Sequence, residues 1–197
     1  TGTSGGPRLK NNAPLSFVLT ANSDDLTRVA VANELAKQWR ARGISVTVQT
    51  VPAASLVQDV LRPRQFDAVL FGFAQLPADP DPYSLWNSTQ TPDRTGAGQN
   101  YGGWNNRDVD ESLEQARRAT DRGTRADLYQ QFQEIFADEV PALLLYYPVY
   151  TYAVDSSVHG VQIGPLLTPS DRFAHIDQWY IKTRRVILSE AQSTAVP

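Results

Sequence analysis

Residues 15–72 alternate between β-type and α-type segments, and this alternation restricts the possible folds of the chain more than any other feature. Three segments are short, apolar and rich in β-branched or aromatic residues, as buried strands are: 15–20, 44–49 and 66–71. Two segments between them repeat apolar residues at helical spacing: 25–42 and 56–61. Because β-α-β crossovers are nearly always right-handed, the sequence predicts an α/β lobe with a small, mainly parallel sheet flanked by helices.

A proline-rich loop follows the third predicted strand. Gly72 ends that strand, and the three prolines within 76–83 remove backbone donors and fix φ, which excludes a helix or a central strand. We therefore expect a stiff, exposed loop at the carboxyl end of a buried strand. Open α/β sheets usually bind their ligands at such a place.

The second half of the chain predicts a long loop and then a helical hairpin. Residues 88–106 show no periodicity, but Tyr101 and Trp104 favour an ordered loop, because large aromatic side chains need a surface on which to pack. Two antiparallel helices are expected next, the first over about 108–120 and the second ending at Pro141.

Local signals define the helix starts and the remaining segments. Two pairs have the spacing of a capping box and predict the first turns of the helices: Asp108 with Glu111, and Thr124 with Asp127. Beyond the helices we expect C-terminal strands, the first two aromatic-rich and well buried: 143–147, 149–154 and 158–163. The two ends predict a linker and a loose tail: 1–13 and 183–197.

Composition argues against several classes of function. The net charge is −3 and the basic residues are scattered, so no nucleic acid is expected as a partner. The chain has no cysteine, and its two histidines, His159 and His175, are too far apart to indicate a metal site. No G-x-S-x-G motif indicates a hydrolase, and we expect no cofactor. The apolar stretch 140–154 is shorter than the roughly 20 residues of a membrane helix.

Several motifs occur in an order that resembles a known family. The strand at 66–71 and the Gly-aromatic pair after it come first, and four further motifs follow: Asp79-Pro80-Asp81-Pro82-Tyr83, Asn100-Tyr101-Gly102-Gly103-Trp104-Asn105, Val109-Asp110, and Leu128-Tyr129 through Pro141 to Tyr147. Together they resemble the C-terminal lobe of the family 5 extracellular solute-binding proteins, the peptide and nickel binders that serve ABC importers. The resemblance covers most of the chain.

The resemblance implies a fold, a function and a location. Residues 14–182 would be the C-terminal lobe of a periplasmic-binding-protein-like fold, and the N-terminal lobe would lie outside this chain. Such proteins close two lobes on a ligand by hinge motion and dock on the importer's permease. The chain has no methionine, so we expect a processed or excised product. An extracytoplasmic protein is implied, bound to the membrane only through a lipid anchor upstream.

The resemblance also implies a ligand site in the predicted loop. Asp79 corresponds to the acid that takes the N-terminal amine of a peptide ligand, and a rigid carboxylate can bind an ammonium group by a charge-assisted hydrogen bond. Phe73, Gln75, Asn100 and Tyr101 are candidates to line the same cleft with an aromatic wall and amide groups. The alternatives are structural: a braced turn for Asp79, core packing for Phe73 and loop bracing for the others.

Two further classes of function remain open at the level of sequence. The loop 73–83 would also suit an α/β enzyme, which would need a second catalytic group close to Asp79. It would equally suit a protein–protein interaction module that uses its exposed aromatic side chains. The family resemblance favours a binding protein without enzymatic activity over both.

Overall fold

A computed structural model describes residues 6–73, 81–164, 166 and 168–182 of the 197-residue chain. The described residues form two compact units. The first unit contains the described residues up to 144, and the second contains those from 145 onward. The predicted tail at 183–197 lies outside the described residues.

A short antiparallel hairpin occupies part of the region that the composition assigns to a linker. Strands β1 (Leu9–Lys10) and β2 (Ala13–Pro14) pair with each other across a two-residue turn. Asn11 and Asn12 in this turn have φ values of 53° and 63°, as the tight turns of hairpins require, and asparagine tolerates this conformation better than most residues. The Asn-Asn pair is therefore the local signal for a hairpin.

The predicted parallel sheet is confirmed. Strand β3 (Ser16–Asn22) lies in its centre, between β4 (Ser45–Val51) and β5 (Ala68–Leu70), and both neighbours run parallel to it. Helix α1 (Leu26–Arg40) packs on β3 and β4. The buried residues of this layer form one apolar cluster: Leu19, Ala21, Ala32, Ala36 and Val46. Burial of this apolar surface holds the helix on the sheet.

The crossover from β4 to β5 is also helical, as predicted. A short helix α2 (Ala53–Ser55) continues directly into a π-helix (Leu56–Leu61) whose first and last residues are buried. The chain then turns through Arg64, which has a φ of 57°. The positive φ reverses the chain direction so that β5 can enter the sheet beside β3.

Residues 88–106 are ordered, but they are not the structureless loop that the missing periodicity predicts. After helix α3 (Tyr83–Trp86), a 3₁₀-helix (Ser88–Gln90) and helix α4 (Pro92–Thr95) follow. Asn87 caps the 3₁₀-helix, and Pro92 begins α4 in the position where its missing N–H costs nothing. Such short helices depend on caps and turns, which a periodicity search does not detect.

The helical hairpin is present as predicted. Helix α5 (Arg107–Arg118) and helix α6 (Arg122–Glu139) are joined by a short turn and pack against each other. Their common core contains Val109, Leu113 and Phe132, with Trp86, Trp104 and Phe136 packed on it. The N-caps differ from the predicted ones: Asn106 caps α5 and Asp121 caps α6. Both caps precede the predicted positions because Asn and Asp side chains reach backbone N–H groups two or three residues ahead.

The two buried strands predicted for 143–154 do not form. This segment has no regular structure, and Leu144, Tyr147 and Val149 are 80%, 84% and 90% exposed. Strand-type composition shows only that a segment can pair, and a strand forms only when a neighbour supplies hydrogen bonds. No described strand pairs with this segment.

The second unit contains a small antiparallel pair. Strand β6 (Val158–His159) lies within the predicted strand 158–163 and pairs with β7 (Tyr180–Ile181). Two 3₁₀-helices precede β7 in the chain (Pro169–Phe173 and Ile176–Gln178). None of the helices in the described part of the chain has both the length and the apolar character that crossing a membrane requires.

Candidate functional site

An aromatic cluster lies at the carboxyl end of β5, where the sequence predicts a ligand site. It consists of Phe71, Phe73 and Tyr101, and we call it the aromatic cluster. The ring centroids of Phe71 and Phe73 are 5.2 Å apart and those of Phe71 and Tyr101 are 5.6 Å apart, both in edge-to-face geometry. Aromatic pairs in this geometry attract each other beyond their hydrophobic contact. The two candidates Phe73 and Tyr101 are thus joined through a third ring.

Phe71 is the member of this cluster that sequence analysis did not select. The sequence places Phe71 at the end of the predicted strand 66–71. The signal that could have found it is its spacing: residues two apart in an extended chain project to the same side, so Phe71 and Phe73 face the same way. Phe71 is half-buried and lies between the two other rings, which makes it the centre of the cluster.

The cluster offers both an apolar surface and a polar group. The Phe73 residue is 40% exposed, so part of its ring surface is accessible. Tyr101 is half-buried, and this burial raises the pKa of its hydroxyl, while the positive charge of Arg62 opposes the shift. The phenol is therefore neutral at physiological pH and can both donate and accept a hydrogen bond.

Asn100 supports the loop from inside. Its side chain is 1% exposed, and its Nδ2 donates to the backbone oxygens of Asn87 (3.1 Å) and Trp104 (2.8 Å). Its Oδ1 accepts a hydrogen bond from the backbone N–H of Trp104 at 3.0 Å. The amide is thus used within the loop, which agrees with the loop-bracing alternative for Asn100, and it fixes the backbone next to Tyr101.

Asp81 has a structural role at the other end of the proline-rich loop. Its Oδ1 accepts a hydrogen bond from the backbone N–H of Tyr83 (3.1 Å), and its Oδ2 lies 3.0 Å from Nε of Arg117 on α5. The Arg117 guanidinium also lies over the Tyr83 ring, 4.4 Å from its centroid. These contacts attach the end of the loop to the helical hairpin. Gln75 and Asp79 lie outside the described residues.

The described residues of the aromatic cluster present an apolar surface with one hydroxyl group rather than a set of metal ligands. No group of three or more His, Cys, Asp or Glu side chains with the geometry of a metal site occurs among the residues that the structure describes. The cluster supplies a rigid apolar wall with one neutral hydroxyl, and such surfaces are common in small-molecule sites. Asp81, the first described acid after Phe73 in the sequence, is already paired with Arg117.

Comparison with known proteins finds similarity to bacterial solute-binding proteins. The family model described as bacterial extracellular solute-binding proteins, family 5 middle, matches residues 1–95. A di/tripeptide-binding protein of Pseudomonas aeruginosa is 27% identical over 135 residues, which are 68% of this chain and 24% of that protein. A dipeptide-binding protein of the same species is 31% identical over 101 residues, which are 51% of this chain and 18% of that protein.

Solved structures of the same type of protein match the fold. The oligopeptide-binding protein AppA of Bacillus subtilis, in complex with a nonapeptide, superposes with a TM-score of 0.73 at 27% identity and covers 93% of this chain and 35% of that one. NikZ of Campylobacter jejuni, in complex with Ni(L-His), shares the fold with a TM-score of 0.69 at 24% identity, over 87% and 34% of the two chains.

The extent of these matches limits what they say about the whole protein. The chain spans about a quarter of the length of the curated relatives it matches, with 24% and 28% of two di/tripeptide-binding proteins of Pseudomonas aeruginosa. The relatives named here are binding proteins rather than enzymes, in agreement with the expectation from sequence.

Proposed function

We propose that this chain belongs to the family 5 bacterial extracellular solute-binding proteins and that it forms part of the substrate-binding component of an ABC importer. One observation carries the proposal: the aromatic cluster lies at the carboxyl end of a strand in the parallel sheet, and two of its members, Phe71 and Phe73, directly precede the acidic proline-rich loop in sequence. In this place the cluster can form one wall of a ligand cleft.

We propose a peptide with a free N-terminal amine as the ligand. Of the two acids in the loop, Asp81 is held by Tyr83 and Arg117, which leaves Asp79 as the carboxylate for a ligand ammonium group. Phe73 and Tyr101 would pack against an apolar side chain of the peptide, and Gln75 would hydrogen-bond to its backbone. Asn100 would act indirectly, by fixing the loop that carries Tyr101. Relatives named as binders of dipeptides and di/tripeptides support this class of ligand.

The proposal includes the setting of the chain. Residues 14–182 would be the C-terminal lobe of a two-lobed protein, and the ligand would be enclosed when an N-terminal lobe closes on it. The protein would work outside the cytoplasm, be held at the membrane by an upstream lipid anchor and deliver its ligand to a permease. The fraction of its relatives that the chain covers is consistent with a lobe of such a protein.

A test compares the two acids of the loop in the full-length protein that carries this chain. We expect Asp79→Ala to weaken binding of the tripeptide Ala-Phe-Ala by about 10- to 100-fold, because a charge-assisted hydrogen bond is lost. Asp81→Ala should weaken it less, since Asp81 contacts protein groups. Isothermal titration calorimetry measures both affinities, and N-acetylated Ala-Phe-Ala, which lacks the ammonium group, is the control ligand.

The comparison of the two variants and the comparison of the two peptides can each contradict the proposal. If Asp79 binds the amine, the acetylated peptide should bind the wild type as weakly as the free peptide binds Asp79→Ala. Equal losses for Asp79→Ala and Asp81→Ala would show that the assigned acid or the ligand class is wrong. Absence of any binding of Ala-Phe-Ala to the wild type would contradict a peptide ligand of this size.

A further inference from the structure

Arg64 lies in a position that the ligand-binding proposal does not explain. It follows the π-helix Leu56–Leu61 in the turn that leads to β5, and its φ of 57° is one that long side chains rarely adopt. A residue without a Cβ, or an asparagine, would fit this turn more easily. A strained backbone position of this kind persists when the contacts around it hold it in place.

The side chain of Arg64 reaches the loop that carries Tyr101. Its Nε donates a hydrogen bond to the backbone oxygen of Tyr101 at 3.1 Å, across a sequence separation of 37 residues. Its Nη1 lies 3.6 Å from Oδ1 of Asp93 at the start of α4. One guanidinium group therefore connects the turn before β5 with both the Tyr101 loop and α4.

Gly103 provides the space for this contact. It has a φ of 66°, and a Cβ built on it would overlap Nη2 of Arg64. The guanidinium thus occupies the volume that a side chain at position 103 would need. A side chain at position 103 would therefore have to displace the guanidinium group.

The loop is held from two sides. Asn100 attaches it to the backbone of Asn87 and Trp104, on the side of the helical hairpin. Arg64 attaches it to the turn that leads into β5, the strand followed by Phe71 and Phe73. The edge-to-face contact of Tyr101 with Phe71 joins these two parts of the chain through their side chains. The hydrogen bond from Arg64 to the backbone oxygen of Tyr101 joins them a second time.

We propose that Arg64 is a positioning residue for the ligand site: it sets the place of the Tyr101 ring against Phe71 and Phe73, and so determines the shape of the aromatic wall. This inference rests on the proposed function, in which the aromatic cluster contacts the peptide. Arg64 itself does not contact the ligand. Loss of Arg64 would therefore weaken binding only as far as Tyr101 contributes to it.

The test uses the full-length protein with two readouts. Hydrogen–deuterium exchange of residues 99–104 reports whether the loop is held, and titration with Ala-Phe-Ala reports the affinity. We expect Arg64→Ala to speed exchange in 99–104 by about tenfold or more and to weaken binding by about tenfold. Arg118→Ala is the control, because this exposed arginine forms an ion pair with Glu114 on its own helix and should change neither readout.

Two further variants separate positioning from a general loss of structure. Arg64→Gly removes the guanidinium contacts and also the strain of a side chain at positive φ. It should therefore fold at least as well as Arg64→Ala and show the same loss of affinity. Arg64→Lys keeps one donor and the charge and should restore part of the affinity. In a Tyr101→Ala background, Arg64→Ala should weaken binding by less than about twofold, because its effect passes through Tyr101.

Two results would overturn the inference. The first is exchange of 99–104 in Arg64→Ala that equals exchange in Arg118→Ala, since Arg64 would then not hold the loop. The second is losses of affinity from Arg64→Ala and Tyr101→Ala that multiply in the double variant, since the two residues would then act independently. If the wild type binds no Ala-Phe-Ala, the peptide proposal fails and so does the role of Arg64 in binding, while the exchange experiment still decides separately whether Arg64 holds the loop.

Discussion

Strand β3 and the segment 143–154 have similar compositions and opposite surroundings. Both are rich in leucine, valine and aromatic or β-branched residues, which favour extended structure. Strand β3 lies between two parallel neighbours and buries Leu19 and Ala21 under α1, whereas 143–154 pairs with no described strand and leaves Leu144 80% exposed. The difference shows that partners elsewhere in the chain, more than local composition, decide which apolar segments become part of a core.

Substitution of one leucine in each region should give the largest contrast. Leu19→Ala removes a side chain that is 3% exposed and leaves a cavity between the sheet and α1, so we expect a loss of about 2–5 kcal/mol in the free energy of unfolding. Leu144→Ala should change it by less than about 0.5 kcal/mol, because the side chain is already in water. Urea unfolding of this chain measures both values.

A large loss for Leu144→Ala would break the contrast. It would mean that 143–154 is covered in solution, for example by a second copy of the chain. In that case the loss should depend on protein concentration, because association stabilises the folded state by mass action. Repeating the urea titration at two concentrations distinguishes this case from burial within one molecule.

The loop at 88–106 extends the contrast to polar groups. It lacks the periodicity of β3, yet it is ordered because Asn100 is buried and fully used by the backbone around it. We expect Asn100→Ala to cost about 1–3 kcal/mol, since it removes three side-chain hydrogen bonds to the backbone of Asn87 and Trp104. Thr95→Ala is a suitable control, because the Thr95 hydroxyl accepts a single hydrogen bond from the loop, at the backbone N–H of Gly98.

The measurement is again urea unfolding, now with Trp fluorescence as the signal. Trp104 packs on the core of the helical hairpin; its backbone oxygen accepts a hydrogen bond from Nδ2 of Asn100, and its backbone N–H donates one to Oδ1 of Asn100. Its emission should therefore shift toward that of an exposed indole in Asn100→Ala. If Asn100→Ala were no less stable than Thr95→Ala, the order of the loop would have to come from its aromatic contacts alone.

Sequence predicted the parts of the fold that are built from periodic apolar segments. The parallel sheet, α1 and the helical hairpin follow from periodic apolar residues that pack within one unit. The short helices at Ser88–Gln90 and Pro92–Thr95 did not follow, because they depend on a cap and on the close approach of Gly98 to the Gln90 carbonyl. The strands predicted at 143–154 failed because sequence alone does not show whether a neighbouring strand exists.

The candidate site was predicted in the same uneven way. Phe73 and Tyr101 could be predicted because sequence can locate the end of a strand and a loop rich in aromatic residues. Both belong to the aromatic cluster. Phe71 was missed because its strand position suggested packing, and Arg64 because its contact with Tyr101 spans 37 residues. A single polar contact of this kind leaves no periodic pattern in the sequence, unlike the apolar segments that predicted the sheet.

The most local partner, the N-cap of α6, should give the smallest effect. Asp121 accepts hydrogen bonds from the backbone N–H of Thr124 (2.7 Å) and from its hydroxyl (2.9 Å), and the backbone bond is the main reason that the pKa of Asp121 lies below its usual value. A lowered pKa in the folded state stabilises the protein above the unfolded pKa of about 4, and this contribution is lost as the pH falls through the folded pKa. Asp121→Ala should therefore destabilise the chain at neutral pH, and its difference from wild type should shrink in acid.

The matched control is Asp127→Ala, which removes the acid of the predicted capping box. Urea unfolding at about pH 7 and about pH 3 measures both variants. A larger loss for Asp127→Ala than for Asp121→Ala at neutral pH would restore the predicted cap at Thr124 and show that the helix starts later in solution.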